Sequence, residues 1–226
     1  LYIDSDTWIF SSFENVEKSL EQYDLVITPH FTNAYPDTHL LPRERDILRS
    51  GLYNAGFIAM KPSENTFSFL NWWSGHMKTE CYYNFAEGMG VDQIWINLVP
   101  LLFNHVLIHT SPGLNVAYWN LHERTITESS GNYWVNNDSP LCFLHISGYQ
   151  FDHPTQISRH QNRYTVDNHP VLQKLLMDYA KIVQSNGYDF FSTMDCAFAK
   201  KKKKSWGIMK TVNQFLKPLG IKIANI

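Results

Sequence analysis

The sequence predicts an α/β protein in which a mixed sheet is flanked by helices. Three observations carry this prediction: short apolar runs of strand length alternate with stretches of helical spacing, the first run ends in two carboxylates, and a later run is entered through a glycine.

Leu1-Tyr2-Ile3 reads as a buried strand running into Asp4-Ser5-Asp6, and Phe13 to Tyr23 follows with helical spacing and mixed charge. Asp24 to Thr28 is a second short strand. Residues 30 to 50, with Pro36, Pro42 and several charges, read as a loop and a short helix leading to the strand Tyr53 to Met60. Thr66 to Lys78 predicts an aromatic-rich helix. Val91 to Phe103 predicts one more, because apolar residues fall at 91, 94, 95, 98, 99 and 102 after a Gly-Met-Gly loop. Val106 to His109, Val116 to Trp119 and Leu141 to Ile146 are strand-like runs between Gly-, Pro- and Asn-rich turns. Pro170 to Gln184 is amphipathic, with Val171, Leu172, Leu175, Leu176, Tyr179, Ile182 and Val183 on one side.

The chain has 226 residues, an apolar fraction of 44% and a charged fraction of 18%, which suit a soluble globular body with a real core. No run approaches the roughly 20 apolar residues of a membrane span. Cys81, Cys142 and Cys196 are far apart and form no C-x-x-C pair, which points to a reducing, cytoplasmic setting without a disulfide framework or zinc knuckle. The net charge of -2 hides an asymmetry, since Lys200 to Lys204 are consecutive in a tail that also carries Lys210, Lys217 and Lys222. A chain starting inside a strand is expected to lack the N-terminal part of its sheet.

The chemistry concentrates at the strand end. Two aspartates at i and i+2 at the C-terminal end of a strand project into the crevice where α/β sheets bind ligands. Such a pair suits a hard divalent cation that bridges to phosphate oxygens. Alone, the motif reads more readily as a solvated turn. Asn54-Ala55-Gly56 sets an amide beside two small residues, so a backbone can come close to a ligand while the side chain bonds its hydroxyls; a bare strand entry needs the glycine too. Asp92-Gln93 opens a helix, where acidic residues are favoured in any case. His145 follows the apolar run Leu141 to Leu144 and precedes Gly148. His153, His160 and His169 have no such context.

The order Leu-Tyr-Ile-Asp-Ser-Asp-Thr-Trp, Asn54-Ala55-Gly56, Asp92-Gln93 with Asn97, Trp119-Asn120 and His145-Ile146-Ser147-Gly148 resembles glycosyltransferase family eight, which includes glycogenin and the bacterial lipopolysaccharide galactosyltransferases, and related capsule enzymes. The resemblance covers about residues 1 to 155. It implies a GT-A-like, Rossmann-like fold, with a catalytic domain over 1–165 and a helical, basic extension over 166–226. It further implies Asp4, Asp6 and His145 as ligands of Mn²⁺ or Mg²⁺, and donor or acceptor contacts from Ser5, Asn54, Ala55, Gly56, Asp92, Gln93, Asn120 and Gly148. Asp92 and Gln93 would lie at the reacting face. The implied activity moves a hexose from a nucleotide-diphosphate sugar, a UDP-hexose by preference, to a glycan or lipid-linked acceptor with retention. No nucleic acid is implied.

One departure stands out: where the family continues with Lys-Pro-Trp, this chain has Phe151-Asp152-His153-Pro154, leaving Arg159 or Arg163 to supply positive charge to the diphosphate. Two other classes stay open, a phosphotransferase or hydrolase using Asp4 and Asp6, and a non-catalytic carbohydrate-binding domain using Trp72, Trp73, Trp119 and Trp134. In the tail, the lysine run precedes Trp206, Ile208, Met209, Val212, Phe215 and Leu216 at helical spacing. That pattern suits either an anionic membrane surface, which would place the protein peripherally at the inner face, or packing on the body.

Overall fold

The computed structural model describes residues 1–195; the lysine run, the apolar stripe after it and Cys196 lie outside the described residues. Two compact units divide the chain, Leu1–Val183 and Gln184–Ile226. The architecture is mixed α/β.

Strand β1 (Tyr2–Ile3) turns at Asp4-Ser5-Asp6 into β2 (Thr7–Ile9), a strand that apolar patterning alone does not separate from the turn. Helix α1 (Glu14–Gln22) carries Glu14 and Glu17 in its first turn, where carboxylates meet the positive end of the helix dipole. Strand β3 (Leu25–Pro29) is followed by α2 (Glu44–Ser50) and β4 (Tyr53–Met60), as the sequence predicts. Helix α3 (Glu64–Thr79) starts two residues earlier than its apolar pattern, because Ser63 caps it by accepting from the Thr66 amide at 3.1 Å. The short ribbon β5 (Tyr83–Asn84) and β6 (Met89–Gly90) precedes α4 (Gln93–Ile96) and α5 (Val99–Leu102). The expectation of one continuous helix over Val91 to Phe103 is therefore corrected. Pro100 has no N–H to give to residue 96 and its ring crowds that carbonyl, so the helix breaks at Asn97-Leu98.

Strand β7 (Val106–Ile108) follows. The run Val116 to Trp119 forms no full strand: Val116 makes a single parallel bridge to Leu144, and Tyr118–Asn120 is a 3-10 turn. Asn120 enforces this turn by accepting the Ala117 amide at 2.9 Å. Strands β8 (Ile126–Ser129), β9 (Asn132–Val135) and β10 (Ser139–Pro140) form a small antiparallel sheet, then β11 (Phe143–His145), α6 (Pro170–Ser185) and α7 (Tyr188–Ser192). Proline is well placed as the first residue of α6, where its missing N–H costs nothing.

The main sheet has the order β1-β4-β3-β7, with β1 and β3 antiparallel to β4 and β7 parallel to β3. Strand β1 is thus an edge strand of two residues. A second pairing, β2 against β11, sets Thr7 opposite His145. Leu172, Leu175 and Leu176 of α6 share one apolar cluster with Val116, Leu144 and Val166, within the first unit. No described helix is long and apolar enough to cross a membrane.

Phe143 holds the two sheets together. Its ring is fully buried between Phe57 of β4 at 5.4 Å and Phe13 at 6.0 Å. Phe143→Ala is expected to cost about 3–5 kcal/mol, read as a lowered urea midpoint with an unchanged slope; a loss below about 1 kcal/mol would show that the two sheets are not joined through this ring.

Candidate metal centre

Backbone hydrogen bonds bring the two aspartates together from different directions. Asp4 is tied to the main sheet, its amide donating to the Gly56 carbonyl at 3.0 Å, while the Asp6 carbonyl accepts the Ile146 amide at 2.7 Å just past β11. The Thr7 hydroxyl closes the turn on the Asp4 carbonyl at 2.8 Å. His145 reaches the same point from β11. Its Nε2 stands 3.2 Å from Asp6 Oδ1 and 3.8 Å from Asp4 Oδ2, and one atom from each of the three side chains lies within 4.8 Å of the others. The imidazole is buried, with 4% of its side chain exposed, whereas the carboxylates are 38% and 43% exposed. The centre therefore opens to solvent on its carboxylate side.

The state of His145 follows from its neighbours by elimination. Gln93 Oε1 accepts the Ala55 amide at 3.1 Å, and Gln93 Nε2 donates to the Ser50 carbonyl at 3.0 Å; backbone groups cannot exchange these roles. Asn54 Nδ2 must then be the group that donates to Gln93 Oε1 at 3.0 Å, leaving Asn54 Oδ1 to accept from Asn115 Nδ2 at 3.1 Å. Asn115 Oδ1 is left facing His145 Nδ1 at 3.1 Å and can only accept. A proton of His145 thus sits on Nδ1, which leaves Nε2, facing the two carboxylates, as the nitrogen able to give its lone pair to a cation. This is the arrangement a metal-binding imidazole requires, with its second nitrogen held by an outer partner.

The surroundings keep this chain of amides dry and neutral. His30 is buried, donates from Nδ1 to the Leu52 carbonyl at 3.1 Å and faces Asn54 Nδ2 with Nε2 at 3.4 Å; burial pushes its pKa down to about 4, so it stays uncharged. Asn115 adopts a positive φ of 58°, a left-handed conformation that asparagine tolerates better than most residues. Its carbonyl accepts from Asn120 Nδ2 at 3.0 Å, and the buried Arg124 donates to the Leu114 carbonyl at 2.7 Å. Trp119 lies edge-on to both His30 and His145, at 5.1 and 5.0 Å.

On the open side, the Tyr2 hydroxyl donates to Asp4 Oδ1 at 2.7 Å, leaving Oδ2 for the centre. That bond, with burial and the charges of Asp4, Asp92 and Asp6, pushes the phenol up to about 12, so it remains a neutral donor. The bond from His145 holds the Asp6 carboxyl below its usual range.

The other expected site residues divide clearly. Ser5 is exposed in the turn between the aspartates, and Asn54, Ala55 and Gly56 line the inner wall on β4. Asp92 is partly buried at the start of α4, and its charge reaches the Tyr2 hydroxyl. Gln93 touches Ser50, Asn54 and Ala55, so both ends of its amide are engaged in holding β4. Asn120 is fully buried, with its amide spent on the backbone of Ala117, His30 and Asn115, away from any open face. Gly148, at φ 72°, is a turn residue packed against His160 and Ser158. Arg163 is bound to Asp37 and to the Leu40 and Pro42 carbonyls, while Arg159 is exposed and bonds His160. The sequence reading did not single out Tyr2, His30 or Asn115.

The chain thus has a mixed α/β fold in which two carboxylates and one oriented imidazole converge. No protein-family model matches the chain, and no solved structure matches it at a significant level. Two curated proteins of Bacillus subtilis (strain 168) do match. "Uncharacterized protein YfnF" is 33% identical over 156 residues, which cover 66% of this chain and 49% of that protein. "Uncharacterized protein YfnD" is 24% identical over 155 residues, covering 66% and 46%. The chain spans about half the length of these relatives.

Gly56 gives the centre its sharpest steric test. A Cβ at this position would stand 2.5 Å from His145 Cε1 and 2.7 Å from Asp4 Oδ2, closer than real Cβ contacts. Gly56→Ala is expected to weaken Mn²⁺ binding at least about tenfold (about 1.4 kcal/mol) in calorimetry while far-UV dichroism stays native; unchanged affinity would show that these three side chains are not the ligands.

Proposed function

We propose that the chain is the catalytic part of a metal-dependent glycosyltransferase of GT-A type, taking a hexose from a nucleotide-diphosphate sugar, a UDP-hexose by preference, to a glycan or lipid-linked acceptor. The observation that carries this reading is the convergence of Asp4, Asp6 and the oriented His145 Nε2 at the end of β1, on the open side of a mixed α/β body. The motif order in the sequence supports it independently.

The donor set fits a divalent cation. Two carboxylate oxygens suit Mg²⁺ or Mn²⁺, and the addition of a neutral imidazole favours Mn²⁺ over the harder Mg²⁺. Bound there, the ion would neutralise charge on the leaving diphosphate. The protein's own residues prepare for this. The backbones of Asp4 and Asp6 are held by bonds from different sheets, so the turn that carries them is in place before a cation binds. The Tyr2 hydroxyl occupies the outer oxygen of Asp4 and orients the inner one. Among the described residues, no lysine or arginine pairs with either aspartate, so their charge is left for a cation.

Asp92 is the group on this side suited to contact sugar hydroxyls, since its carboxylate is partly exposed and its charge reaches Tyr2. Gln93 acts as a positioning residue, through Asn54 and Asn115, on His145. In the retaining course that the resemblance implies, the acceptor proton passes to the leaving phosphate, and no separate base is needed.

Release of UDP from UDP-glucose or UDP-galactose tests the reading. Turnover is expected to require Mn²⁺ or Mg²⁺ and to be abolished in Asp4→Ala, Asp6→Ala and His145→Ala proteins of native dichroism; full activity in EDTA overturns the proposal. The neighbours at 92 and 93 should separate. Asp92→Asn is expected to lower turnover at least about tenfold (about 1.4 kcal/mol) with metal affinity retained, whereas Gln93→Leu should weaken metal binding as well. The opposite pattern would exchange their roles.

A further inference from the structure

A second surface has the chemistry of a binding site and lies apart from the metal centre. In the small sheet, Trp134 of β9 pairs with Thr127 of β8 and Pro140 of β10, and Asn132 pairs with Ser129. Strand alternation puts Thr127, Ser129, Asn132 and Trp134 on one face. That face borders a hollow of about 410 Å³ lined by these four with Ser130 and Asn137. Every polar group there is a neutral hydroxyl or amide, and among the described residues lining it none is charged.

Asn132 and Trp134 also line a larger groove of about 770 Å³, whose walls include Trp8, Phe10, Tyr133 and Leu175. Its one charged residue, Asp178, is paired with Lys181 at 3.1 Å. The aromatic wall is continuous: Tyr133 meets Phe10 at 5.3 Å, and Phe10 meets Trp8 at 4.7 Å. Trp8 lies two residues beyond Asp6, on the strand that pairs with β11.

We propose that the Trp134 face binds a neutral oligosaccharide, with Trp134 stacking on a pyranose ring and Thr127, Ser129, Asn132 and Asn137 bonding its hydroxyls. A pyranose has one face of C–H groups and a rim of hydroxyls, so it needs an apolar plane bordered by neutral donors and acceptors. Trp134 and its neighbours supply both. An anionic or phosphorylated ligand would leave its charge unmatched here, and a basic one likewise. Naming this oligosaccharide as the acceptor rests on the proposed function; the binding itself does not.

The test is direct binding in EDTA, without nucleotide, so that it reads the platform and not the metal centre. Maltohexaose, cellohexaose and a galactan hexasaccharide are titrated by isothermal calorimetry, with a proline-rich peptide and an anionic oligosaccharide as controls. At least one neutral hexasaccharide is expected to bind, with affinity lowered about tenfold or more in Trp134→Ala, largely restored in Trp134→Tyr, and lowered in Asn137→Gly, which removes the amide and keeps the positive φ of 68° at that turn. Binding of none of the neutral sugars overturns the proposal. So does binding that ignores Trp134 and Asn137, or preference for the peptide or the anionic control. Loss of donor turnover in the metal-ligand variants, measured separately, would leave this result untouched.

Discussion

The centre depends on a line of buried amides whose direction is fixed at one end by the backbone. The Ala55 amide and the Ser50 carbonyl leave Gln93 a single orientation, and each amide after it inherits the choice, through Asn54 and Asn115, until the proton on His145 is settled. Buried polar groups are expensive unless every donor and acceptor is matched, so the chain is stable only as a whole. It also joins parts distant in sequence: α4, β4, the turn at 115 and β11. A defect anywhere along it would be felt at Nε2.

Sheet geometry supplies the other half. Strand β4 is antiparallel to both of its neighbours, and its Gly56 is the point where backbone, imidazole and carboxylate come closest. A side chain at 56 would displace either the histidine or Asp4. The amide line fixes orientation and the glycine permits approach, so the two constraints act on different degrees of freedom of one imidazole.

Much of this architecture can be read from residue order. Strand β4 and helix α6 follow from apolar runs with clear ends, and the aspartate pair is visible as a strand-end motif, whereas His145 joins it only through the family resemblance. Three features resist such reading for identifiable reasons. Pro100 divides a helix whose apolar period is uninterrupted, because periodicity records side chains and not the missing N–H. Asn120 looks like a ligand contact next to Trp119 but serves the backbone, since an amide in an Asn-rich turn can satisfy either. Asn115 carries the link to His145 from an ordinary Gly-Leu-Asn-Val run; its positive φ is the signal, and that is visible only in three dimensions.

Charge distribution around the centre completes the physical argument. Asp4 and Asp6 face one small open region, and the charge of Asp92 also reaches the Tyr2 hydroxyl. Their mutual repulsion is screened by water where they are exposed, and among the described residues no lysine or arginine pairs with Asp4 or Asp6. Had the protein needed only to stabilise these acids, a lysine or arginine at the rim would have sufficed, and Arg163 and Arg124 are instead buried in structural bonds elsewhere. Under the proposed function this imbalance has a purpose: a divalent ion relieves it, and the fixed positions of Asp4, Asp6 and His145 mean that the relief comes with little rearrangement of the protein.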